Sequence, residues 1–231
     1  MQTILITGAN RGIGLEMTKQ YLTAGWQVFA CCRNPQQADA LKQLKTQHNN
    51  QLIIIKLDVR NLDEIQQLPA QLNHQPIDIL MNNAGVIGSR AATLQDSESA
   101  NWLETFKINT LGPALLTQTL LDQVAKSKLK LIVNISSSMG SISANTEGGY
   151  YLYRASKAGL NAITKSLAVD LKEKNITVIA IHPGWVKTDM GGEHALISPE
   201  QSVAGIRQVL EKITLQDTGA FIKYNGDRLA W

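Results

Sequence analysis

Short, nearly all-apolar runs recur along this chain with longer amphipathic stretches between them, and this alternation constrains the fold more than any other feature. The expected strands are Thr3–Thr7, Gln27–Cys31, Leu52–Lys56, Ile77–Met81, Lys130–Ile135, Thr177–Ile181 and Ala220–Lys223. The expected helices are Ile13–Ala24, Gln36–Lys45, Leu62–Leu72, Ala100–Ala125, Leu152–Lys174 and Pro199–Lys212. Strands that alternate with helices join through right-handed crossovers and pair in parallel. Their interiors are apolar on both faces, as a sheet covered by helices on both sides requires. No repeat or Ser/Gly-rich linker interrupts the pattern. The reading is α/β: a doubly wound Rossmann fold with a seven-stranded parallel sheet, one domain over residues 1–231.

Composition narrows the classes of function. With 44% hydrophobic and 18% charged residues, the chain has material for a sizeable core. Lys and Arg number 22 against 19 acids, a net charge of +3 with no clustered basic stripe, so no nucleic-acid partner is expected. No apolar run reaches the roughly 18 residues of a membrane span, and the first strand begins at Thr3, too early to leave room for a signal peptide. The two cysteines, Cys31 and Cys32, are adjacent, which does not suit a structural disulfide, so a reducing, cytoplasmic location is expected. His48, His74, His182 and His194 show no ligand spacing, and no metal is expected.

The first strand runs into Thr7-Gly8-Ala9-Asn10-Arg11-Gly12-Ile13-Gly14 and then a helical pattern. Glycines at these positions permit a tight turn and a close backbone approach to a pyrophosphate, which the positive end of the following helix attracts. The second strand ends in Cys32-Arg33-Asn34 with no carboxylate to bind a free ribose hydroxyl. Arg33, joined by Arg11 in the turn, suits a 2′-phosphate, and the pair favours NADP over NAD. Asp58-Val59 follows the third strand: the carboxylate suits the adenine amine and Val59 its ring, although Asp58 reads equally well as a helix-start residue.

The fourth strand ends in Asn82-Asn83-Ala84-Gly85, small residues where open α/β sheets bind ligands. The fifth ends in a serine cluster, Ser136-Ser137-Ser138, and Tyr153 and Lys157 follow four apart on one helix face. A hydroxyl, a phenol and an ammonium therefore converge beside one pocket. Tyrosine ordinarily titrates near 10, too high for efficient proton transfer near neutrality, and a neighbouring cation favours the phenolate. Trp185 and Met190 suit either the pocket or packing, and Trp102 and Trp231 read as core or interface anchors.

Taken in order along essentially the whole chain, Thr7–Gly14, Asn82–Gly85, Asn109, Ser137, Tyr153, Lys157 and Pro183-Gly184 resemble the motif set of the short-chain dehydrogenase/reductase family. Within it, Asn145–Gly149, His182–Met190 and Leu229-Ala230-Trp231 are similar to the small carbonyl-reductase branch that holds the sniffer and C-factor-like proteins. The resemblance implies that Tyr153 donates a proton to a carbonyl oxygen and that Ser137 polarises it. Lys157 would lower the Tyr153 pKa and hold the nicotinamide ribose, and Asn109 would hold a water that links Lys157 to solvent. It further implies that Gly8, Asn10, Arg11, Gly12, Ile13 and Gly14 hold the pyrophosphate and nearby ribose. Arg33 would select the 2′-phosphate, and Asp58 and Val59 would hold adenine. Asn83, Ala84 and Gly85 would line the cleft, and Pro183, Gly184, Val186 and Thr188 would hold the nicotinamide end.

One departure stands out. Ser137 lies sixteen positions before Tyr153, more than the family spacing, which leaves Ser136, Ser137 and Ser138 open as the catalytic serine. The second position of the family pattern selects Ser137. The extra residues, Ser141–Gly149, are expected to reshape the substrate mouth without moving the Tyr–Lys helix. The implied activity is NADPH-dependent reduction of a ketone or aldehyde by a homodimer. An NADP-binding sensing or signalling protein of the C-factor type, with little turnover, is the alternative. A nucleotide-sugar epimerase would need a larger carboxyl-terminal domain than the residues after Thr188 supply.

Overall fold

The computed structural model describes residues 1–88 and 98–231. Its strands are β1 (Thr3–Thr7), β2 (Gln27–Cys32), β3 (Leu52–Lys56), β4 (Ile79–Asn82), β5 (Leu131–Ile135), β6 (Thr177–His182) and β7 (Phe221–Lys223). Helices α1 (Gly12–Thr23), α2 (Asp39–Gln47), α3 (Leu62–Gln71), α4 (Ser99–Phe106), α5 (Gly112–Ala125), α6 (Tyr151–Asp170) and α7 (Pro199–Leu210) connect them. All strand pairs are parallel and the order is β3-β2-β1-β4-β5-β6-β7. This is the expected doubly wound Rossmann arrangement. The chain builds outward from β1 to β3, then crosses back to lay β4 against the other side of β1, and the crevice opens at that reversal.

The strand pleat sorts side chains onto two faces. Ile4 and Ile6 of β1 pack with Met17 and Leu22 of α1 and Val203 and Ile206 of α7. Leu5, between them, packs the other way with Leu68 of α3 and Leu116 and Leu120 of α5. With both faces dry, β1 is buried along its whole length. No helix among the described residues is long and apolar enough to cross a membrane.

Two boundaries differ from expectation in ways that bear on the site. The stretch expected as one helix, Ala100–Ala125, is α4 and α5 joined by a wide π-type turn at Lys107–Leu111. Pro113 explains the break, because it has no N–H to give the Asn109 carbonyl four residues back. The helix expected to reach Lys174 stops at Asp170, and the chain leaves through a tight turn that ends with Asn175 in the left-handed conformation.

Candidate active site

The carboxyl ends of β1 and β4 are laced together. The Thr7 hydroxyl accepts from the backbone N–H groups of Asn83 (3.0 Å) and Ala84 (2.9 Å), and the Asn83 amide donates to the Thr7 carbonyl (2.8 Å). Between them the chain turns through Gly8 at φ +65° and Gly12 at φ +53°, conformations that a side chain resists. A Cβ on Gly14 would stand 2.2 Å from the Gly8 carbonyl oxygen, so only glycine lets α1 start this close to the turn. Arg11, at the cap position of α1, makes no side-chain hydrogen bond to the helix, and its first turn carries no acid. The N–H groups of Gly12, Ile13 and Gly14 are thereby available to an anion. Helices α3 and α7 differ, because Asn61 and Ser198 cap them. The Ile13 side chain packs into the core beneath, so its contribution here is its backbone.

Around β5 the three serines differ in placement. The Ser136 hydroxyl donates to Asn161 of α6 at 2.6 Å and is buried there, and Ser138 is exposed. Ser137 is 8% exposed; its hydroxyl accepts from the Met139 N–H at 3.2 Å and hydrogen-bonds Tyr153. The longer spacing therefore leaves Ser137 and Tyr153 in contact. Burial raises the Tyr153 pKa and the Ser137 hydrogen bond draws it partly back. Lys157 is 4% exposed, lies 5.9 Å from the Tyr153 ring centre, and donates to the Ile135 carbonyl at 2.7 Å. Burial pulls its pKa down to about 8. Here the hydrogen bond that lowers the Tyr153 pKa comes from Ser137, and the Lys157 ammonium is bonded to the Ile135 carbonyl.

Asn109 sits in the wide turn before α5, and its side chain makes three hydrogen bonds. Its amide oxygen accepts from Val86 N–H (2.9 Å), and its amide nitrogen donates to the Val86 carbonyl (2.8 Å) and the Ser156 hydroxyl (2.9 Å). Ser156 donates in turn to the Tyr153 carbonyl, and Thr110 bonds the Ser156 carbonyl, which ties this turn to α6. A Cβ on Gly85 would meet the Asn109 amide oxygen at 3.3 Å and the Lys157 Nζ at 3.6 Å, and one on Gly8 would meet the Ala84 Cα at 3.0 Å. The glycine turn, the β4 end and the Ser137–Tyr153–Lys157 cluster thus form one continuous wall.

The opposite rim comes from the segment after β6. Pro183 accepts from the buried Ser202 hydroxyl at 2.6 Å, and Gly184 takes φ +88°. Val186 is buried and pairs with Ile197, and the Thr188 methyl would lie 3.3 Å from a Cβ on Gly12. Trp185 is exposed with its indole N–H on the Gly191 carbonyl at 2.8 Å, and Met190 also lies at the surface. Residues 89–97, in the segment that follows β4, lie outside the described residues.

The two arginines part company. Arg33 is exposed at the end of β2, on a cleft of about 400 Å³ lined also by Asn34, Lys56, Asp58, Arg60, Asn61 and Glu64. Arg11 points elsewhere and pairs with Asp189 at 2.9 Å. Asp58 accepts a fork from Arg60, at 2.8 and 3.1 Å, which with the Arg33 charge holds its carboxyl below the usual range; Arg60 also pairs with Glu104 of α4. Val59 is buried behind it, and Asn10 sits half-buried in the turn.

Beyond Asn82, which the sequence reading placed at the β4 end, several positioning residues escaped it. Asn82, Asn134 and Thr164 form a buried ladder at 2.8 Å per step that joins β4, β5 and α6. Ser156 and Asn161 are equally buried. Their helical spacing from Tyr153, at positions 156, 157, 160, 161 and 164, was the available signal.

A doubly wound sheet whose carboxyl edge joins a glycine turn to a Ser–Tyr–Lys cluster defines an α/β oxidoreductase. The chain belongs to the short chain dehydrogenase family, whose model matches residues 2–196. It resembles the carbonyl reductase Sniffer of D. melanogaster, with 39% identity, a TM-score of 0.94 and 100% of both chains covered. It also resembles the NADPH-bound carbonyl reductase from chicken fatty liver, with 34% identity, a TM-score of 0.92 and 100% of this chain and 99% of that chain covered. Among curated proteins, C-signal of Myxococcus xanthus is 40% identical over 156 residues, which cover 68% of this chain and 93% of that protein.

Proposed function

We propose that this protein is an NADPH-dependent carbonyl reductase that converts a ketone or aldehyde to the alcohol. The observation that carries the reading is the convergence of Ser137, Tyr153 and Lys157 on the wall that Gly85 shares with the glycine turn. The donors present fit a dinucleotide. The open N–H groups of α1 face the turn, and Lys157 has donors beyond the one on Ile135 for ribose hydroxyls. Arg33, exposed at the end of β2 on the cleft that Asp58 and Glu64 also line, suits a 2′-phosphate and favours NADP. When bound, the reduced dinucleotide supplies the hydride that reaches the carbonyl carbon.

The protein's own residues supply position and a proton. Tyr153 holds the proton at its phenolic oxygen, and the burial that raises its pKa keeps it protonated at neutral pH, the state needed to donate to the carbonyl oxygen. Ser137 Oγ holds that oxygen beside the phenol. Asn109 fixes the Val86 backbone and, through Ser156, the first turn of α6 that carries Tyr153. Pro183, Gly184, Val186 and Thr188 close the nicotinamide end, with Asn83 and Ala84 along the cleft and Asp58 and Val59 at the adenine end. Further parts of the reading are a homodimer, supported by apolar Leu103 and Val169 left exposed on α4 and α6, and a reducing compartment, supported by the free thiols of Cys31 and Cys32.

Replacing Tyr153 by Phe removes the donor and keeps the ring. Turnover of NADPH with a carbonyl is expected to fall about 10²–10⁴-fold, with NADPH affinity unchanged; unaltered turnover sinks the mechanism. A second reading, a dinucleotide-binding sensing or signalling protein with little turnover, takes support from the identity with C-signal. Tight NADPH binding with no turnover across a broad panel of ketones, aldehydes and quinones would select it.

A further inference from the structure

We propose that Trp231 is a positioning residue for the substrate mouth, fastening the loop after Ser137 to the far edge of the sheet and so setting which carbonyl compounds enter. The inference rests on the reductase reading for its consequence and on the coordinates for its geometry.

The loop between Ser137 and Tyr153 is held in two different ways. Its first part is pinned to α6: a Cβ on Gly140 would stand 2.9 Å from the Lys157 backbone, and the Gly140 carbonyl accepts from Asn161 at 3.1 Å. The next part is pinned to Trp231. One main-chain oxygen of that residue accepts the Ser141 hydroxyl at 3.2 Å, the Ser143 hydroxyl at 2.9 Å and the Ser143 N–H at 3.2 Å. Ser141 in turn accepts from the Ala144 N–H at 3.2 Å. Between the two anchored serines Ile142 stands 78% exposed, an apolar side chain presented to solvent by an ordered turn.

Trp231 can serve as an anchor because it is itself fixed. Its indole stacks on Phe221 of β7, with ring centres 5.3 Å apart and planes 20° from parallel, and Phe221 is buried. The segment that carries it turns back along β7: Leu229 N–H bonds the Phe221 carbonyl at 2.8 Å, Arg228 pairs with Ile222, and the Arg228 guanidinium meets Asp217. Ser143 is exposed and hydrogen-bonds water as readily as protein, so its two bonds, with that of the buried Ser141, order the loop only while the stack holds their common acceptor still. Loss of the indole therefore frees Ser141–Ala144 without touching Ser137, Tyr153 or Lys157. Ile142 then loses its fixed place, and a bulky apolar substituent on the carbonyl loses the surface it is sorted against.

The test compares the full-length wild type with Trp231→Ala and Trp231→Phe by hydrogen exchange over residues 140–150. Steady-state kinetics with a bulky aryl ketone and a short aliphatic aldehyde run alongside. Trp231→Ala is expected to speed exchange in that segment and to raise the ketone KM about three- to tenfold relative to the aldehyde, the worth of one ring stack, with kcat little changed. Trp231→Phe keeps a ring on Phe221 and is expected to restore both. Unchanged exchange in Trp231→Ala overturns the strap. Faster exchange with an unchanged ratio of ketone to aldehyde KM, or equal losses in KM and kcat for both substrates, overturns its role in selection. If Trp231→Ala does not fold, Ser143→Ala removes one of the three bonds from an exposed position and is read the same way. A wild type that reduces neither carbonyl refutes the reductase reading, and the exchange measurement then decides the strap by itself.

Discussion

Lys157 places a charge where burial opposes it, and replacing it with methionine should make the protein more stable and less active. The ammonium is 4% exposed, and burial pulls its pKa from the ordinary 10.5 to about 8. Below pH 8 it is protonated both folded and unfolded, and the folded state carries the whole desolvation cost. Between pH 8 and 10.5 the folded protein releases the proton while the unfolded chain keeps it, so stability climbs with pH; above 10.5 the cost is gone. At 1.36 kcal/mol per pH unit, the cost at neutral pH is roughly 3 kcal/mol. Methionine has similar length and no charge, but it forfeits the 2.7 Å charge-assisted bond to the Ile135 carbonyl, a loss of about 2 kcal/mol. The net gain of about 1 kcal/mol at pH 7 corresponds to a rise in Tm of about 2–4 °C for a chain of this size. Calorimetric unfolding without dinucleotide at pH 7, 8, 9 and 10 checks it: the gap between variant and wild type should be widest at pH 7 and close as pH rises, while reductase turnover is lost throughout. A variant that melts below wild type at pH 7, or a gap that ignores pH, would refute the reasoning.

Three further perturbations probe the dinucleotide end. Gly14→Ala puts a Cβ 2.2 Å from the Gly8 carbonyl oxygen, so the turn must open, and NADPH affinity by titration calorimetry should fall at least about tenfold; normal affinity would mean that the close approach is not needed. Arg33→Ala should raise the KM for NADPH by about 10–100-fold and leave NADH untouched, the cost of one charge-assisted contact. Arg11→Ala should cost less, because the Arg11 guanidinium already faces Asp189; a larger loss from Arg11 than from Arg33 would place the phosphate on the Asp189 side.

The expected strands and the observed ones share all seven members because each is an apolar run whose neighbours in sequence are turns or amphipathic helices. That pattern is local and survives in the linear chain. Tyr153 and Lys157 were legible for the same reason: a helix carries its own ruler, and a separation of four puts two side chains on one face. Ser137 was only partly legible. Three consecutive serines at a strand end look alike in sequence; burial of Ser136 against Asn161 and exposure of Ser138 are facts of packing between β5 and α6. Asn109 belongs to the same class, because its function in the fold is to hold the Val86 backbone, 23 positions away.

Periodicity and turn chemistry, read from the residues alone, thus determined the doubly wound sheet, the glycine turn ahead of α1 and the placing of Tyr153 and Lys157 on one helix face, since each depends on neighbours within a few positions. Tertiary structure alone decided the partners. Arg11 faces Asp189, Asp58 is forked by Arg60, Tyr153 leans on Ser137, and Trp231 reaches back to Ser141 and Ser143. Most of these contacts join segments tens of residues apart. Even the two-residue fork of Arg60 on Asp58 is completed by Glu104 from a distant helix. Which polar groups meet, and how far burial moves their pKa values, depends on the water that the assembled sheet and helices exclude, and no window along the chain contains that information.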